Sequence, residues 1–173
     1  MKKKILFLDR DGVLNRDVSY LYKIEEFEWI DGAIAALIEA YHRNYEIIIV
    51  TNQSGIARGY YTVDDMNRLH AYMVEELRGY GVPILDIFYC PHHKDGIIPM
   101  YTKDCDCRKP KPGMLFQAMR KYDIDMAASF LIGDSTRDVE AAHNAGIDGY
   151  LFSGGRLDLF MKHVWEQRVN EGI

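Results

Sequence analysis

No stretch of this sequence approaches the roughly 20 consecutive apolar residues that a transmembrane helix needs. After the lysines at positions 2–4, the apolar run covers only residues 5–8 before Asp9 interrupts it. That is too short for the hydrophobic centre of a secretory signal, so the chain reads as soluble and cytoplasmic. Cysteine is scarce. There are three, an odd number in a chain that reads as unexported, which argues against a disulfide framework. Positive charge is not in excess either: Lys plus Arg number 21 against 26 Asp plus Glu, a net charge of -5. General nucleic-acid binding, which needs a basic surface, is therefore disfavoured, although a local basic pocket for phosphate is compatible with this balance. Internal repeats, low-complexity tracts and a heptad seam are absent, and a monomer is the expectation.

What is present suits one domain over residues 1–173, with 48% apolar residues to build its core. Short apolar runs alternate with helical patterns. Residues 4–8, 46–50, 85–89, 129–132 and 149–152 read as five strands; the first is a continuous apolar run, as expected for a strand buried on both faces, and the second reads as buried too. Between them, Asp31 is positioned to cap a helix that turns Ile34, Leu37, Ile38 and Tyr41 inward. Thr62 to Asp65 resembles a capping box, opening a helix with Met66, Leu69, Met73 and Leu77 on its inner stripe. Residues 112–122, 137–145 and 157–169 complete the helices, with Gly146 as the stop after the second of these. This alternation predicts an α/β fold: a three-layer, Rossmann-like parallel sheet with helices on both faces and no separate cap domain.

Ligands of such sheets bind beyond the carboxyl ends of the strands. The chemically active residues fall there. Asp9 and Asp11 follow the first run, Thr51 and Asn52 the second, and Asp134 the fourth. Asp9 is a carboxylate that needs no separate base to attack phosphorus. Asp11, two residues on, can protonate a leaving alcohol and then deprotonate a water. Gly12 permits the turn that lets both converge. Thr51 and its neighbours can hold phosphoryl oxygens, Lys109 can bridge nucleophile and phosphoryl group, and Asp134 can complete a magnesium site with Asp9 and the backbone carbonyl of Asp11. Asp138 reads as support for that site or as a helix cap. Each motif has a plainer reading as a turn, a capping loop or a solvated basic segment. Four of them in succession at strand tips are much harder to explain that way.

Cys90, His92, Cys105 and Cys107 form a fifth constellation. Three thiolates and an imidazole make a tetrahedral set suited to structural zinc, with no open coordination position. The intervening segment, residues 93–104, is polar and has little means of burying itself, so a zinc-ordered loop over about 90–108 is expected. His93 could replace His92, which is the preferred ligand; the histidines at 42, 70, 143 and 163 read as helix-face residues without ligand partners.

The segments FLDRDGVLN, TNQSG, RKPKPG and GDSTRD resemble the haloacid-dehalogenase-like phosphatases. The resemblance implies Asp9 as nucleophile, Asp11 as acid–base, Thr51 and Lys109 as phosphate stabilisers, and Asp134 as a magnesium ligand. Within that superfamily, CPHH and CDCRKPKPGM resemble the zinc loop of the histidinol-phosphate and heptose-bisphosphate phosphatase group. TNQSGIARGYYT and IDMAAS are most similar to the heptose members. This implies removal of the C7 phosphate from a heptose 1,7-bisphosphate on the route to nucleotide-activated heptose. It further implies that Arg10, Asp17, Val18, Ser19, Tyr20, Asn52, Gln53, Ser54, Arg108 and Ser135 touch this small phosphorylated sugar, with Arg108 on the remaining C1 phosphate. The chain departs from the pattern at Val13, where many relatives carry Thr. It departs again at Asp17-Val-Ser-Tyr20, where the heptose enzymes have Asp-His-Gly-Tyr. Histidinol phosphate is the alternative substrate. A polynucleotide 3′-phosphatase and an inactive zinc-ordered interaction module are the further readings.

Overall fold

The computed structural model describes residues 1–173. Five strands form one parallel sheet: β1 (Lys4–Leu8), β2 (Tyr45–Asn52), β3 (Ile84–Cys90), β4 (Phe130–Gly133) and β5 (Asp148–Leu151). The spatial order is β3-β2-β1-β4-β5. The chain winds one way from β1 to β3, then returns to build the other half. The end of β1 is therefore the switch point of the sheet, where a crevice opens.

Alternation along β1 divides the core in two. Leu6 and Leu8 join Ile47, Ile49, Phe130 and Ile132 on one face. There they meet α1 (Ala33–His42), α2 (Val63–Gly79) and α5 (Leu157–Asn170). Ile5 and Phe7 join Ile48, Val50 and Leu131 on the other. That face is covered by α3 (Gly113–Lys121) and α4 (Thr136–Ala145). Side chains of successive strand residues point to opposite faces, so a run apolar at every position needs cover on both. Each fully buried Leu, Ile or Phe of these runs contributes about 1.5–3 kcal/mol by leaving water.

Helix boundaries follow local chemistry, with differences. The Thr62–Asp65 capping box forms as expected, and Met66, Leu69, Met73 and Leu77 are buried. Gly146 ends α4 in the left-handed conformation at φ 82°. Asp31, by contrast, does not cap α1: Gly32 takes that position at φ 75°, with no side-chain cap. The inner stripe of α1 is Ala33, Ala36, Leu37 and Ala40, and Tyr41 is exposed. Small alanines let this helix lie close to the sheet, which the pattern of large apolar residues alone did not convey. Pro112 precedes α3 as its N-cap rather than entering the helix. No helix is long and apolar enough to cross a membrane.

One lip of the crevice is locally strained. Ser19 and Tyr20 adopt φ of 59° and 58°, a region that L side chains disfavour. Asp17 Oδ1 accepts from the Ser19 backbone N–H at 2.9 Å, and the Tyr20 ring packs edge-on against Tyr60 at 4.7 Å. Ser19→Gly would remove the side-chain clash at this conformation. Its stability in a denaturant titration is expected to rise by about 0.5–1 kcal/mol, against the usual loss on introducing glycine.

Candidate active site

A cleft of about 360 Å³ opens at the carboxyl ends of β1, β2 and β4. Asp9, Asp11, Asp134 and Asp138 border it, together with Lys109. A larger hollow of about 800 Å³ lies at the opposite end of the sheet, among Lys2, Lys3, Lys4 and Tyr45. It gathers no nucleophile or metal-ligating set.

Asp9 sits one residue past β1, its backbone N–H donating to Ile132 O at 3.1 Å. That bond continues the ladder to β4 and fixes the carboxyl at the switch point. Lys109 is almost fully buried, and its ammonium lies against three oxygens. It reaches Asp9 Oδ1 at 3.0 Å, Asp138 Oδ1 at 2.6 Å and Val50 O at 2.8 Å. Burial alone would lower the pKa of this ammonium, but the charges of Asp9 and Asp138 outweigh it and raise the value. Asp138 caps its helix as expected: its other oxygen accepts from the Ser135 N–H at 3.1 Å, closing the capping box of α4. Asn52 clamps the Lys109 backbone, donating to its carbonyl at 3.2 Å and accepting from its N–H at 3.0 Å.

Asp9, Asp134 and Asp138 bring carboxylate oxygens within 4.8 Å of one another. Burial is the first cause that drives the Asp9 carboxyl up to about 8, with Lys109 lowering it and Asp138 and Asp11 raising it further. Asp134 is raised as well, first by burial. One ammonium among these acids is too little positive charge to hold the Asp9 carboxyl at its ordinary value. A divalent cation with hard oxygen preferences fits this set. Gly12, at φ 85°, makes the convergence possible, because a Cβ there would come within 2.0 Å of Asp134 Oδ2. The Asp11 side chain stands apart from the three-carboxylate group and is bonded to Arg10, Asn15 and Gln53, which leaves its backbone carbonyl for any metal role.

Most residues implied by the resemblance do border the cleft: Asp17, Ser19, Tyr20, Asn52, Gln53, Ser54, Arg108 and Ser135. Three do not. Arg10 is fully buried, its guanidinium turned into the core to donate to Leu21 O at 2.8 Å and Asp11 Oδ1 at 2.9 Å. It cannot touch a substrate through its side chain. It also bonds His70 Nε2 at 3.2 Å, so His70 is a buried partner rather than an unengaged helix-face residue. Burial and the Arg10 charge push that imidazole down to about 3, leaving it neutral. Val18 is exposed outside the cleft, and Thr51 is fully buried with its hydroxyl accepting from Gln53 Nε2 at 2.8 Å.

Three cleft residues escaped the reading of the sequence: Tyr61 and two arginines, Arg58 and Arg137. Both arginines lie inside segments already singled out, TNQSGIARGYYT and GDSTRD. The signal that could have found them is a basic side chain just past a strand-tip motif. Neither they nor Arg108 is paired with a carboxylate, unlike the other ion-paired arginines of the molecule. Arg58 Nε and Arg108 Nη1 are buried without any hydrogen-bond partner. Burial, then the Arg137 and Arg58 charges, lower the pKa of Arg108.

Beside the cleft, Cys90, His92, Cys105 and Cys107 converge. Cys90 Sγ lies 3.5 Å from Cys105 Sγ and 3.6 Å from His92 Nδ1, and Cys107 Sγ lies 3.5 Å from Cys105 Sγ and 3.3 Å from His92 Nδ1. Bonds of about 2.3 Å to sulfur and about 2.0 Å to nitrogen in a tetrahedron require edges of roughly 3.5–3.8 Å. The donor set and its spacing fit zinc. His93 is not a member; its Nε2 faces Arg58 at 3.3 Å.

Residues 106–160 match a family described as HAD-hydrolase-like. A D-glycero-alpha-D-manno-heptose-1,7-bisphosphate 7-phosphatase from Photorhabdus laumondii is 52% identical over 84% of this chain and 80% of its own length. A D-glycero-beta-D-manno-heptose-1,7-bisphosphate 7-phosphatase from Rhodopseudomonas palustris is 43% identical over 94% and 91%. Among solved structures, the D,D-heptose 1,7-bisphosphate phosphatase from B. bronchiseptica, complexed with magnesium and phosphate, superposes with a TM-score of 0.80. It is 33% identical over 97% of this chain and 99% of that one.

Proposed function

Because this chain belongs to the haloacid-dehalogenase-like D-glycero-D-manno-heptose-1,7-bisphosphate 7-phosphatases, we propose that it removes the C7 phosphate of that heptose bisphosphate. It would do so in the cytoplasm, on the route to nucleotide-activated heptose. The observation that carries this reading is the presence of two charged sets in one cleft. The acids hold Lys109 among them, while three arginines without carboxylate partners border the same cleft, with Arg137 and Arg58 near enough to lower the pKa of Arg108. A bisphosphate presents one phosphoryl group to each set. Asp17, Ser19, Asn52, Ser54 and Ser135 border the same cleft and offer hydrogen bonds to sugar hydroxyls. Histidinol phosphate would bring an ammonium group toward three guanidinium groups, an unfavourable pairing of like charges.

In this reaction an Asp9 carboxylate oxygen attacks phosphorus as the bond to the C7 oxygen breaks, giving a phospho-aspartate. Asp11 protonates the departing oxygen. It then takes a proton from the water that attacks the phosphoryl group, and the Asp9–phosphorus bond breaks to restore the carboxylate. Lys109 holds the nucleophile and offsets the charge of the phosphoryl oxygens. Magnesium, held by Asp9, Asp134 and the Asp11 carbonyl, supplies the positive charge that keeps Asp9 ionised and screens the phosphoryl group. Zinc would be held by Cys90, His92, Cys105 and Cys107, and with four protein donors its part would be structural.

The test is phosphate release, with magnesium, from the heptose 1,7-bisphosphate, the heptose 7-phosphate and histidinol phosphate. A clear preference for the bisphosphate is expected, and equal kcat/KM on all three would refute this reading. Arg108→Ala should raise KM for the bisphosphate by about 10–100-fold, the scale of one lost charge-assisted contact, while leaving the monophosphate nearly unchanged. A proportional loss on both substrates would remove Arg108 from the distal phosphate.

A further inference from the structure

We propose that Gln53 and Tyr61 are positioning residues for the general acid, and that the proton Asp11 delivers and recovers resides on its Oδ2. This rests on the reading of Asp11 as the acid–base group. Asp11 Oδ1 accepts from Arg10 Nη2 at 2.9 Å and from Asn15 Nδ2 at 3.0 Å. A carboxylate oxygen offers two lone-pair sites, so Oδ1 is saturated. Oδ2 accepts once, from Gln53 Nε2 at 3.1 Å, on a side chain that borders the cleft. Its second lone pair is the one place for a transferable proton.

The orientation of the Gln53 amide decides whether that proton is usable. Its Nε2 donates to both Asp11 Oδ2 and Thr51 Oγ1, and its Oε1 accepts from the Tyr61 hydroxyl. If the amide turned over, Oε1 would face Asp11. It would repel the carboxylate and, once Asp11 was protonated, draw the Oδ2 proton away from the substrate. The Tyr61 hydroxyl holds the productive orientation. Tyr61 is itself fixed: it is 5% exposed, its ring stacks on Tyr22 at 5.2 Å, and it lies so close over Gly55 that a Cβ there would stand 2.2 Å from the ring.

In the first half-reaction the bond from phosphorus to the leaving oxygen breaks with its electron pair, and that oxygen takes the Oδ2 proton while Asp9 bonds phosphorus. In the second, the water oxygen bonds phosphorus, the Asp9 oxygen leaves, and a water proton returns to Oδ2. A nitrophenolate leaving group departs unprotonated, so the first half-reaction then needs no acid while the second still needs the base.

The experiment compares Tyr61→Phe and Gln53→Met with the unmodified enzyme, each in magnesium. With 4-nitrophenyl phosphate, the rate of the initial nitrophenolate burst should stay within about twofold while steady-state turnover falls about tenfold. With the heptose bisphosphate, turnover should fall about tenfold without a burst. In an Asp11→Ala background, Tyr61→Phe should change nothing further, because the two act through one group. A parallel fall of burst and steady state, an additive loss in the Asp11→Ala background, or unchanged turnover in both variants would each overturn the proposal. If Asp11→Ala alone left heptose bisphosphate turnover intact, the acid–base reading itself would fall and the relay with it. Loss on Asp11→Ala with none on Tyr61→Phe or Gln53→Met would remove the relay alone.

Discussion

Asp9→Asn is expected to reduce turnover by a factor on the order of 10⁴ or more, the scale on which loss of a covalent nucleophile is felt. An amide neither attacks phosphorus usefully nor carries the phosphoryl group between the two half-reactions. The fold should survive, because the substitution is isosteric and Lys109 keeps its bonds to Asp138 and Val50 O. Metal-free stability should not fall at all. Burial raises the folded pKa of Asp9 from 3.8 to about 8, so between these values the native state holds a proton that the unfolded chain releases. Stability contributed here is therefore lost as pH rises from about 4 toward 8. An asparagine lacks that term. Thermal melts of metal-free protein should show the unmodified chain losing Tm across this window and Asp9→Asn losing less. Appreciable turnover by Asp9→Asn, measured as phosphate release, would refute the nucleophile assignment.

Cys107→Ser, or removal of zinc by a chelator, is expected to lower kcat/KM by about 10²-fold, although the four donors lie outside the cleft. A displacement of about 1 Å at a positioning residue is enough for a loss of that size. The path is short. Cys107 immediately precedes Arg108 and Lys109, and Cys90 at the tip of β3 pairs with Asn52 of β2. Asn52 in turn clamps the Lys109 backbone. The metal set thus ties the loop that carries the lysine to the strand that holds it. Without that tie, the intervening segment keeps few anchors, among them Ile97 and Ile98 N–H groups donating to Ala57 O. Hydrogen exchange should rise over residues 90–108 while β1 and β4 stay protected. Full activity in protein shown to contain no zinc would break this coupling.

Much of the site was legible because its chemistry is local. Asp9, Asp11 and Gly12 are neighbours in sequence, and an apolar run that ends in carboxylates marks a strand tip wherever it occurs. The three cysteines and His92 that converge beside the cleft stood out by residue type, as soft donors that suit a metal. Errors arose where a residue's role depended on the direction of its side chain. Arg10 lies between two site aspartates in sequence, yet it points into the core, because the chain turns at Gly12 and wraps Leu21 around it. Asp31 had the right chemistry for a cap, but Gly32 took the position.

Sequence alone determined the alternation of elements, the chemical groups at each strand tip and the metal donor types, since these follow from periodicity and from residues a few positions apart. The tertiary structure decided the strand order, which brings Asp9, Lys109 and Asp134 together from distant parts of the chain. It also decided the meeting of Arg58, Arg108 and Arg137, and the Tyr61–Gln53–Asp11 chain of hydrogen bonds. Those arrangements depend on which strands pair and how loops pack across the switch point. These are contacts between segments far apart in sequence, and no local pattern encodes their distances.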